Sequence, residues 1–274
     1  MLGERGSRST RLDQLLVARG LAPTRAKAQA LILSGRVSSG GARLDKPGAR
    51  VLHDAPLEVS ARPRHVSRGG TKLEGALAAF ALDARDREAL DVGASTGGFT
   101  QVLLEAGARR VVALDVGHGQ LDWSLRTDPR VVVLEGVNAR RLRAEDLPFR
   151  PSLAVIDVSF ISLELVLPAV LSCLEPGGDV VALVKPQFEV GRGKVGRGGI
   201  VRDPELHREV LRRVTRFAGE AGASVQGVVP SPIPGAEGNA EFFVHLAARA
   251  GGLDPMALER RIVEITAPPG ESPP

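Results

Sequence analysis

Nine consecutive residues carry the first chemical signal: Asp91-Val-Gly93-Ala94-Ser95-Thr96-Gly97-Gly98-Phe99. An apolar run leads into them and a helical pattern follows from Gly98. A glycine-rich turn between strand and helix lets a ligand approach backbone N–H groups beyond the strand's carboxyl end. The run lacks a Gly-Lys-Ser/Thr ending, which argues against a nucleoside triphosphate. It also misses the Gly-x-Gly-x-x-Gly spacing that holds a dinucleotide pyrophosphate. Asp115 closes the next apolar run, 24 residues after Asp91, and a carboxylate there can accept hydrogen bonds from ribose hydroxyls. Asp91 would repel a pyrophosphate but could face an ammonium, directly or through water. An adenosyl group with an amino-acid tail satisfies both aspartates. The competing reading is a helix cap with packing glycines.

Four more charged residues stand at strand or helix positions. Asp157 and Lys185 end apolar runs, in Val155-Ile-Asp-Val-Ser-Phe160 and Leu183-Val-Lys-Pro-Gln-Phe188. Glu241 opens another run after Gly238-Asn239-Ala240, and Lys72 lies on a helical stretch ahead of the glycine loop. A lysine that ends an apolar strand before a proline is an odd choice for solubility alone. Opposite charges nearby favour its ammonium and desolvation favours its amine. An amine can take a proton from a hydroxyl. Structural ion pairs at strand ends fit the same spacing, so the residues alone leave both readings open.

Positioning these groups requires a sheet. Apolar periodicity predicts strands over 89–93, 110–115, 130–134, 153–157, 179–184, 223–229 and 241–247. Helices are predicted over 71–80, 98–107, 163–174 and 204–221, the last with Asp203 as N-cap and Pro204 in the first turn. Strands alternating with helices make a mostly parallel sheet covered on both faces. The segment 230–239 is too short for a crossover helix, so the last two strands should be antiparallel neighbours. Ahead of this, 11–60 reads as a small α+β unit. Leu12, Leu15 and Leu16 share one helical face. Thr24 caps a second helix carrying Ala28, Leu31 and Ile32, which Gly35 ends. Short strands follow around Val37, Val51 and 57–59. Residues 62–70 read as a basic linker, with Pro63 and a Gly69-Gly70 pair that loosens the backbone before Lys72.

The chain has 274 residues, 43% of them hydrophobic and 25% charged, the composition of a globular protein. A single cysteine excludes an internal disulfide and any cysteine-based zinc or iron–sulfur site. Cys173 lies in an apolar helix and reads as core, while His65, His118 and His207 lack metal-ligand spacing and read as polar fillers; no metal is expected. Charge is unevenly placed: residues 1–70 hold 13 Lys and Arg against 5 Asp and Glu, a net +8, and the remainder nets −4. A genome-wide arginine bias would raise arginine everywhere, so the uneven placement suggests a polyanion-binding module on a mildly acidic body. The start is polar, and the most apolar helical stretch, 163–174, contains Glu164 and Pro168. Neither a signal peptide nor a membrane span is expected, and the location should be cytoplasmic.

Taken together, the motifs Arg11-Leu-Asp, Ser67-Arg-Gly-Gly-Thr-Lys72-Leu, Asp91 to Phe99, Asp115-Val-Gly-His-Gly-Gln-Leu, Asp157-Val-Ser-Phe-Ile-Ser, Lys185-Pro-Gln-Phe-Glu189 and Gly238-Asn-Ala-Glu241 resemble those of the bacterial hemolysin A/TlyA-like family. The resemblance runs over nearly the whole chain, 11–247. It implies a Rossmann-like, seven-stranded S-adenosylmethionine-dependent methyltransferase sheet of the FtsJ/RrmJ type behind an N-terminal α+β S4-like RNA-binding domain. The implied boundaries are 1–61 for the S4-like domain, 62–70 for the linker, 71–250 for the methyltransferase domain, and 251–274 for a C-terminal extension with a disordered Pro-rich end.

The resemblance further implies S-adenosyl-L-methionine as methyl donor and a Lys-Asp-Lys-Glu tetrad for ribose 2'-O-methylation, carried here by Lys72, Asp157, Lys185 and Glu241. Lys185 would steer or take the hydroxyl proton, Asp157 would orient Lys185, and Lys72 and Glu241 would tune charge and hold the target nucleotide. Around the cofactor it places Asp91, Gly93, Ala94, Ser95, Thr96, Gly97, Gly98, Phe99, Asp115, Val116, Asn138 and Asp157. S4-type modules hold structured RNA through a basic face, which implies contacts from Arg11, Arg25, Lys27, Arg36, Arg43 and Lys46. The glycine-rich basic segment 191–199 could close over the catalytic mouth. The family's activity is cytidine 2'-O-methylation of 16S and 23S ribosomal RNA, some members modifying only the large subunit. Ribosomal RNA or subunits are therefore the implied partners, with no membrane insertion. Two alternatives stand beside this: a noncatalytic RNA-binding or ribosome-assembly protein, and a haemolysin-type membrane-active protein, which the lack of a spanning segment disfavours. The number of subunits is left open.

Overall fold

The computed structural model describes residues 9–33, 35–60, 64–191, 193–235 and 237–267. The chain divides into two compact units, Met1–Arg64 and His65–Pro274.

The first unit runs β1 (Ser9–Arg11), α1 (Leu12–Ala18), α2 (Arg25–Leu33), β2 (Val37–Ser39), β3 (Ala42–Arg43), β4 (Arg50–Leu52) and β5 (Leu57–Val59). Strand β1 pairs antiparallel with β4, and β3-β2-β5 form a second antiparallel sheet. Leu12 and Leu16 of α1 pack with Ala28, Leu31 and Ile32 of α2 and with Val37. The predicted cap is present, Thr24 Oγ1 accepting from the Lys27 N–H at 3.2 Å. Strand β1 is absent from the sequence expectation, because three residues of Ser-Thr-Arg carry no apolar alternation.

The second unit runs α3 (Arg68–Ala79), β6 (Glu88–Val92), α4 (Gly98–Glu105), β7 (Arg110–Asp115), α5 (Trp123–Arg126), β8 (Val131–Glu135), β9 (Leu153–Ile156), α6 (Leu167–Cys173), β10 (Asp179–Val184), α7 (Pro186–Glu189), α8 (Pro204–Glu220), β11 (Ser224–Pro230), β12 (Phe242–Ala247) and α9 (Pro255–Ile265). Seven strands form one sheet in the order β11-β12-β10-β9-β6-β7-β8. All neighbours are parallel except at β12, which runs against both β10 and β11. Side chains alternate across the sheet. Leu90, Val92, Ile156, Val180 and Val184 meet α6 and α8 on one face, while Ala89, Val155, Val181 and Leu183 meet α3 and α4 on the other. After β8 the chain crosses back over β6 to lay down β9. Strands β6 and β9 therefore flank the point where strand order reverses, which is where ligands bind in such sheets.

Three predicted elements differ. Helix α3 starts at Arg68, so Gly69 and Gly70 belong to its first turn and not to a loose linker. A Cβ on Gly70 would press on the buried His65 ring, 2.5 Å from its Cβ, so this glycine serves close packing. The helix predicted over 163–174 splits into a 3-10 turn (Leu163–Leu165) and α6, because Pro168 lacks an N–H and fits only a first helical turn. The expected C-terminal extension is built into the fold as far as 267: α9 is capped by Asp254, buries Ile262 in the core and donates from Arg261 Nε to the Val228 carbonyl at 3.1 Å. The Pro-rich end, 268–274, and linker residues 62–63 lie outside the described residues. Among the described residues no helix is long and apolar enough to cross a membrane.

Candidate active site

The carboxyl ends of β6, β9 and β10 and the start of β12 share one edge of the sheet. The antiparallel register pairs Val184 with Phe242, so the residues one step beyond, Lys185 and Glu241, flank the same edge. Asp157 follows β9, its N–H donating to the Val92 carbonyl at 2.9 Å, which lays it against the glycine loop. The contact is tight: a Cβ on Gly93 would lie 2.5 Å from the Asp157 carbonyl oxygen.

A cavity of about 570 Å³ opens here, and its lining contains Lys72, Asp157, Lys185 and Glu241 together with Gly93, Ala94, Ser95, Thr96, Gly98 and Phe99. The four charged groups form two ion pairs. Lys72 Nζ lies 2.5 Å from Glu241 Oε2, both side chains buried. Lys185 Nζ lies 2.6 Å from Asp157 Oδ1 and donates to Ser159 Oγ at 2.9 Å. Asp157 Oδ1 is buried, and the Lys185 ammonium is the charge that offsets its desolvation. Pairing of this kind is what lets four ionised groups share a partly desolvated cavity.

The glycine loop turns into α4 through Gly97, which takes the left-handed region at φ 96°. Asp91 is fully buried beneath the loop, Oδ2 accepting from Thr100 Oγ1 at 2.6 Å while Oδ1 has no partner. Burial pushes its carboxyl up to about 7, opposed by the Thr100 bond. Asp115 is tied to the loop: its oxygens accept from the Ser95 N–H at 2.8 Å and the Gly117 N–H at 2.7 Å, each keeping a further lone pair for a hydroxyl. Val116 is 70% exposed beside it. Asn138 is exposed and caps the 3-10 turn Ala139–Arg141, Oδ1 accepting from the Arg140 N–H at 3.1 Å. Asp91, Gly97, Asp115, Val116 and Asn138 are not in the cavity lining.

An S-adenosylmethionine-sized group fits these residues. The cavity volume suits a small cofactor, the loop offers backbone to close approach, and the unpartnered Asp91 Oδ1, buried beneath the loop, is an acceptor that could answer an ammonium through an intervening water.

The cavity also has walls that residue type and spacing did not single out. Phe160 is 90% exposed, sits at φ 63° and stacks at 4.8 Å on Phe188; both line the cavity with Ser159, Gln187 and Asn239. Their motifs flank Asp157, Lys185 and Glu241, so the signal available was adjacency in sequence. Of the segment 191–199, Val195 and Gly199 reach the lining, whereas Lys194 is held away by Glu209 at 2.8 Å.

In the first unit the basic residues are partly committed. Asp13 is buried and accepts from Arg11 Nε at 3.0 Å, Arg25 Nε at 2.9 Å and Gln29 Nε2 at 3.0 Å. The Arg11 hydrogen bond, foremost, holds its carboxyl well below the usual range. Arg36 donates to the Ser60 carbonyl at 2.9 Å. Lys27, Arg43 and Lys46 are exposed. Three of the six cations expected to contact RNA thus also serve the fold: Arg36 holds the Ser60 carbonyl, and Arg11 and Arg25 supply the pairing that a buried carboxylate needs while keeping about half of their side chains in solvent.

A doubly wound sheet with one reversed strand, and a glycine loop meeting a Lys-Asp-Lys-Glu cluster at the reversal point, define a Rossmann-like methyltransferase core. Comparison with known proteins agrees. Residues 65–248 match the FtsJ-like methyltransferase model and residues 10–55 the S4 domain model. YqxC of Bacillus subtilis is 51% identical over 242 residues, 88% of this chain and 86% of that one. The 16S/23S rRNA (cytidine-2'-O)-methyltransferase TlyA of Mycobacterium tuberculosis is 50% identical over 266 residues, 94% of this chain and 99% of that one. A solved Streptococcus thermophilus protein of the hemolysin class, 45% identical, superposes with a TM-score of 0.74 and 95% of each chain covered. The chain belongs to the FtsJ-like methyltransferase family, as a member of its S4-fused TlyA/hemolysin A branch, and is a methyltransferase of the S-adenosylmethionine-dependent class.

Proposed function

We propose that this enzyme methylates a ribose 2'-hydroxyl, that of a cytidine in 16S or 23S ribosomal RNA. The observation that carries the reading is the meeting of Lys72, Asp157, Lys185 and Glu241 at one cavity beside the glycine loop. The identity to a relative named for cytidine 2'-O-methylation of both RNAs supports the substrate.

When bound, S-adenosyl-L-methionine supplies an activated methyl group on a sulfonium that is its own leaving group. The loop residues Gly93 to Phe99 would hold it, with Asp91 and Asp157 toward its amino-acid end and Asp115 toward the ribose; Val116 and Asn138 are proposed on the adenosine side. Lys185 Nζ, restrained by Asp157 and Ser159, orients the target hydroxyl; once it has released its own proton to solvent, the neutral amine receives the hydroxyl proton as the oxygen is alkylated. Asp157 then stabilises the resulting ammonium. The Lys72–Glu241 pair, buried and internally neutral, shapes the wall against which the target ribose rests. Rate acceleration is assigned mainly to alignment of hydroxyl oxygen and methyl carbon.

In the same reading residues 1–61 are the RNA-docking part and the catalytic part runs from His65 to 250, taking in the start of α3, with Arg25, Lys27, Arg36, Arg43 and Lys46 touching phosphates and the half-exposed Arg11 contributing less. Mass-spectrometric mapping of 2'-O-methyl sites in ribosomal RNA, with and without this protein, tests the proposal. A new 2'-O-methylcytidine is the expected result; unmodified ribose, or methylation on a base, would refute it.

A further inference from the structure

Glu189 is a buried carboxylate for which the proposed chemistry has no use. It closes α7, one turn beyond Lys185, and is 4% exposed. Its Oε1 accepts from the Leu163 N–H at 2.8 Å, and its Oε2 accepts from Ser162 Oγ at 2.8 Å and from Arg213 Nη2 at 3.1 Å. Arg213 of α8 also pairs with Glu164 at 2.9 Å and donates to the Glu189 carbonyl at 2.5 Å.

These bonds join two segments that each carry one member of the Asp157–Lys185 pair. The loop after β9, 157–163, has no regular structure until the 3-10 turn at Leu163, and its Phe160 sits in the left-handed region, which is unfavourable for an aromatic residue. That loop is fastened to the segment 185–189 in sequence: Asp157 and Ser159 to Lys185, Phe160 to Phe188, then Ser162 and Leu163 to Glu189. The first fastenings reach into the open cavity. The last one is buried and anchored by Arg213 to the longest helix of the unit. A loop pinned only at its solvent side would swing about its strand end; the Glu189 carboxylate pins the other side.

We propose that Glu189, backed by Arg213, is a positioning residue for methyl transfer: it clamps the loop that carries Asp157 and Ser159 so that both hold the Lys185 amine in register with the target hydroxyl. The inference rests on the function proposed above. Cofactor binding should respond less than methyl transfer, because Asp157 is also held at the glycine loop by its own N–H on the Val92 carbonyl at 2.9 Å, a bond that does not depend on Glu189. Misplacement of a reacting group by about 1 Å costs on the order of 100-fold in rate.

The test compares full-length wild type with Glu189→Gln and Ser162→Ala. In Glu189→Gln the shape and the bond from Leu163 can persist while the charge facing Arg213 is lost. Methyl transfer to ribosomal RNA should show kcat lower by about 10- to 100-fold for Glu189→Gln and about 3- to 10-fold for Ser162→Ala. KM for S-adenosylmethionine and the calorimetric affinity for S-adenosylhomocysteine should stay within about 3-fold in both. The double variant should lose less than the product of the single losses, as expected for two residues acting through one contact. Hydrogen exchange of the 157–163 amides should rise in both variants and stay unchanged in the glycine loop. An unchanged kcat, a loss appearing in KM and S-adenosylhomocysteine affinity instead, or unaltered exchange at 157–163 would overturn the clamp. Should Glu189→Gln not fold, Ser162→Ala alone decides by the same readouts. Failure of the wild type to methylate ribosomal RNA would refute the proposed function, and the exchange comparison would still decide whether Glu189 restrains the loop.

Discussion

Replacing Asp91 by asparagine should stabilise the protein at pH 8 and leave it nearly unchanged at pH 4. The carboxyl is fully buried and one oxygen has no partner, and burial lifts it from the ordinary 3.8 to about 7. Below pH 4 folded and unfolded chains both hold the proton. As pH rises from 4 to 7 the unfolded chain releases it while the folded chain keeps it, so stability falls across that window. At about 1.36 kcal/mol per pH unit, that window corresponds to about 4 kcal/mol, an upper bound that water entry would reduce to about 2 kcal/mol. The amide of the Asp91→Asn variant keeps an oxygen to accept from Thr100 Oγ1 and has no charge to desolvate. For a unit of this size the gain is about 4–8 °C in Tm at pH 8. Calorimetric scans of both proteins at several pH values give the difference curve, in which groups common to both cancel. The same variant should bind S-adenosylhomocysteine more weakly, since an ammonium would no longer find a carboxylate. A variant destabilised equally at all pH values, or a difference curve flat from pH 4 to 8, would refute this account of Asp91.

Two further predictions concern the first unit. Asp13→Asn should cost it about 1–3 kcal/mol, less than the roughly 3–5 kcal/mol of a wholly buried pair because Arg11 and Arg25 keep about half their surface in water. Asp13 is held below its usual range, so the wild-type unit should weaken as pH falls below about 4 while the variant lacks that slope; hydrogen exchange of 12–33 in the full chain reads both. Replacing Arg25, Lys27 and Arg36 together by alanine should weaken binding to ribosomal RNA and flatten its log–log salt dependence by about 2 units, measured by filter binding; an unchanged slope would exclude them as phosphate contacts.

Much of the architecture was legible because it rests on local pattern. Strands with apolar runs and caps such as Asp203-Pro204 announce themselves, and both strand limits of 110–115 and 179–184 match β7 and β10. The convergence of Lys185 and Glu241 was legible only in part. It depends on β12 inserting between β10 and β11, a long-range pairing that sequence spacing does not encode. Other features were hidden for different physical reasons. The demand of buried Asp13 for Arg11 and Arg25 is a tertiary desolvation effect. Helix α9 owes its place to one buried stripe through Ile262. Asn138 combines a residue type suited to ligand contact with an equally good helix cap, and the structure shows it as the cap. Glu189 carries no comparable signal, because the three hydrogen bonds it accepts come from residues 162, 163 and 213, all distant in sequence.

The most direct measurement is single-turnover methyl transfer to ribosomal RNA by wild type and Lys185→Met, alongside calorimetric binding of S-adenosylhomocysteine. If Lys185 handles the ribose proton at this cavity, transfer should fall by about 100-fold or more while the ligand binds within a few-fold of wild type. Transfer by Lys185→Met at the wild-type rate would contradict the assignment of catalysis to the Lys-Asp-Lys-Glu cluster.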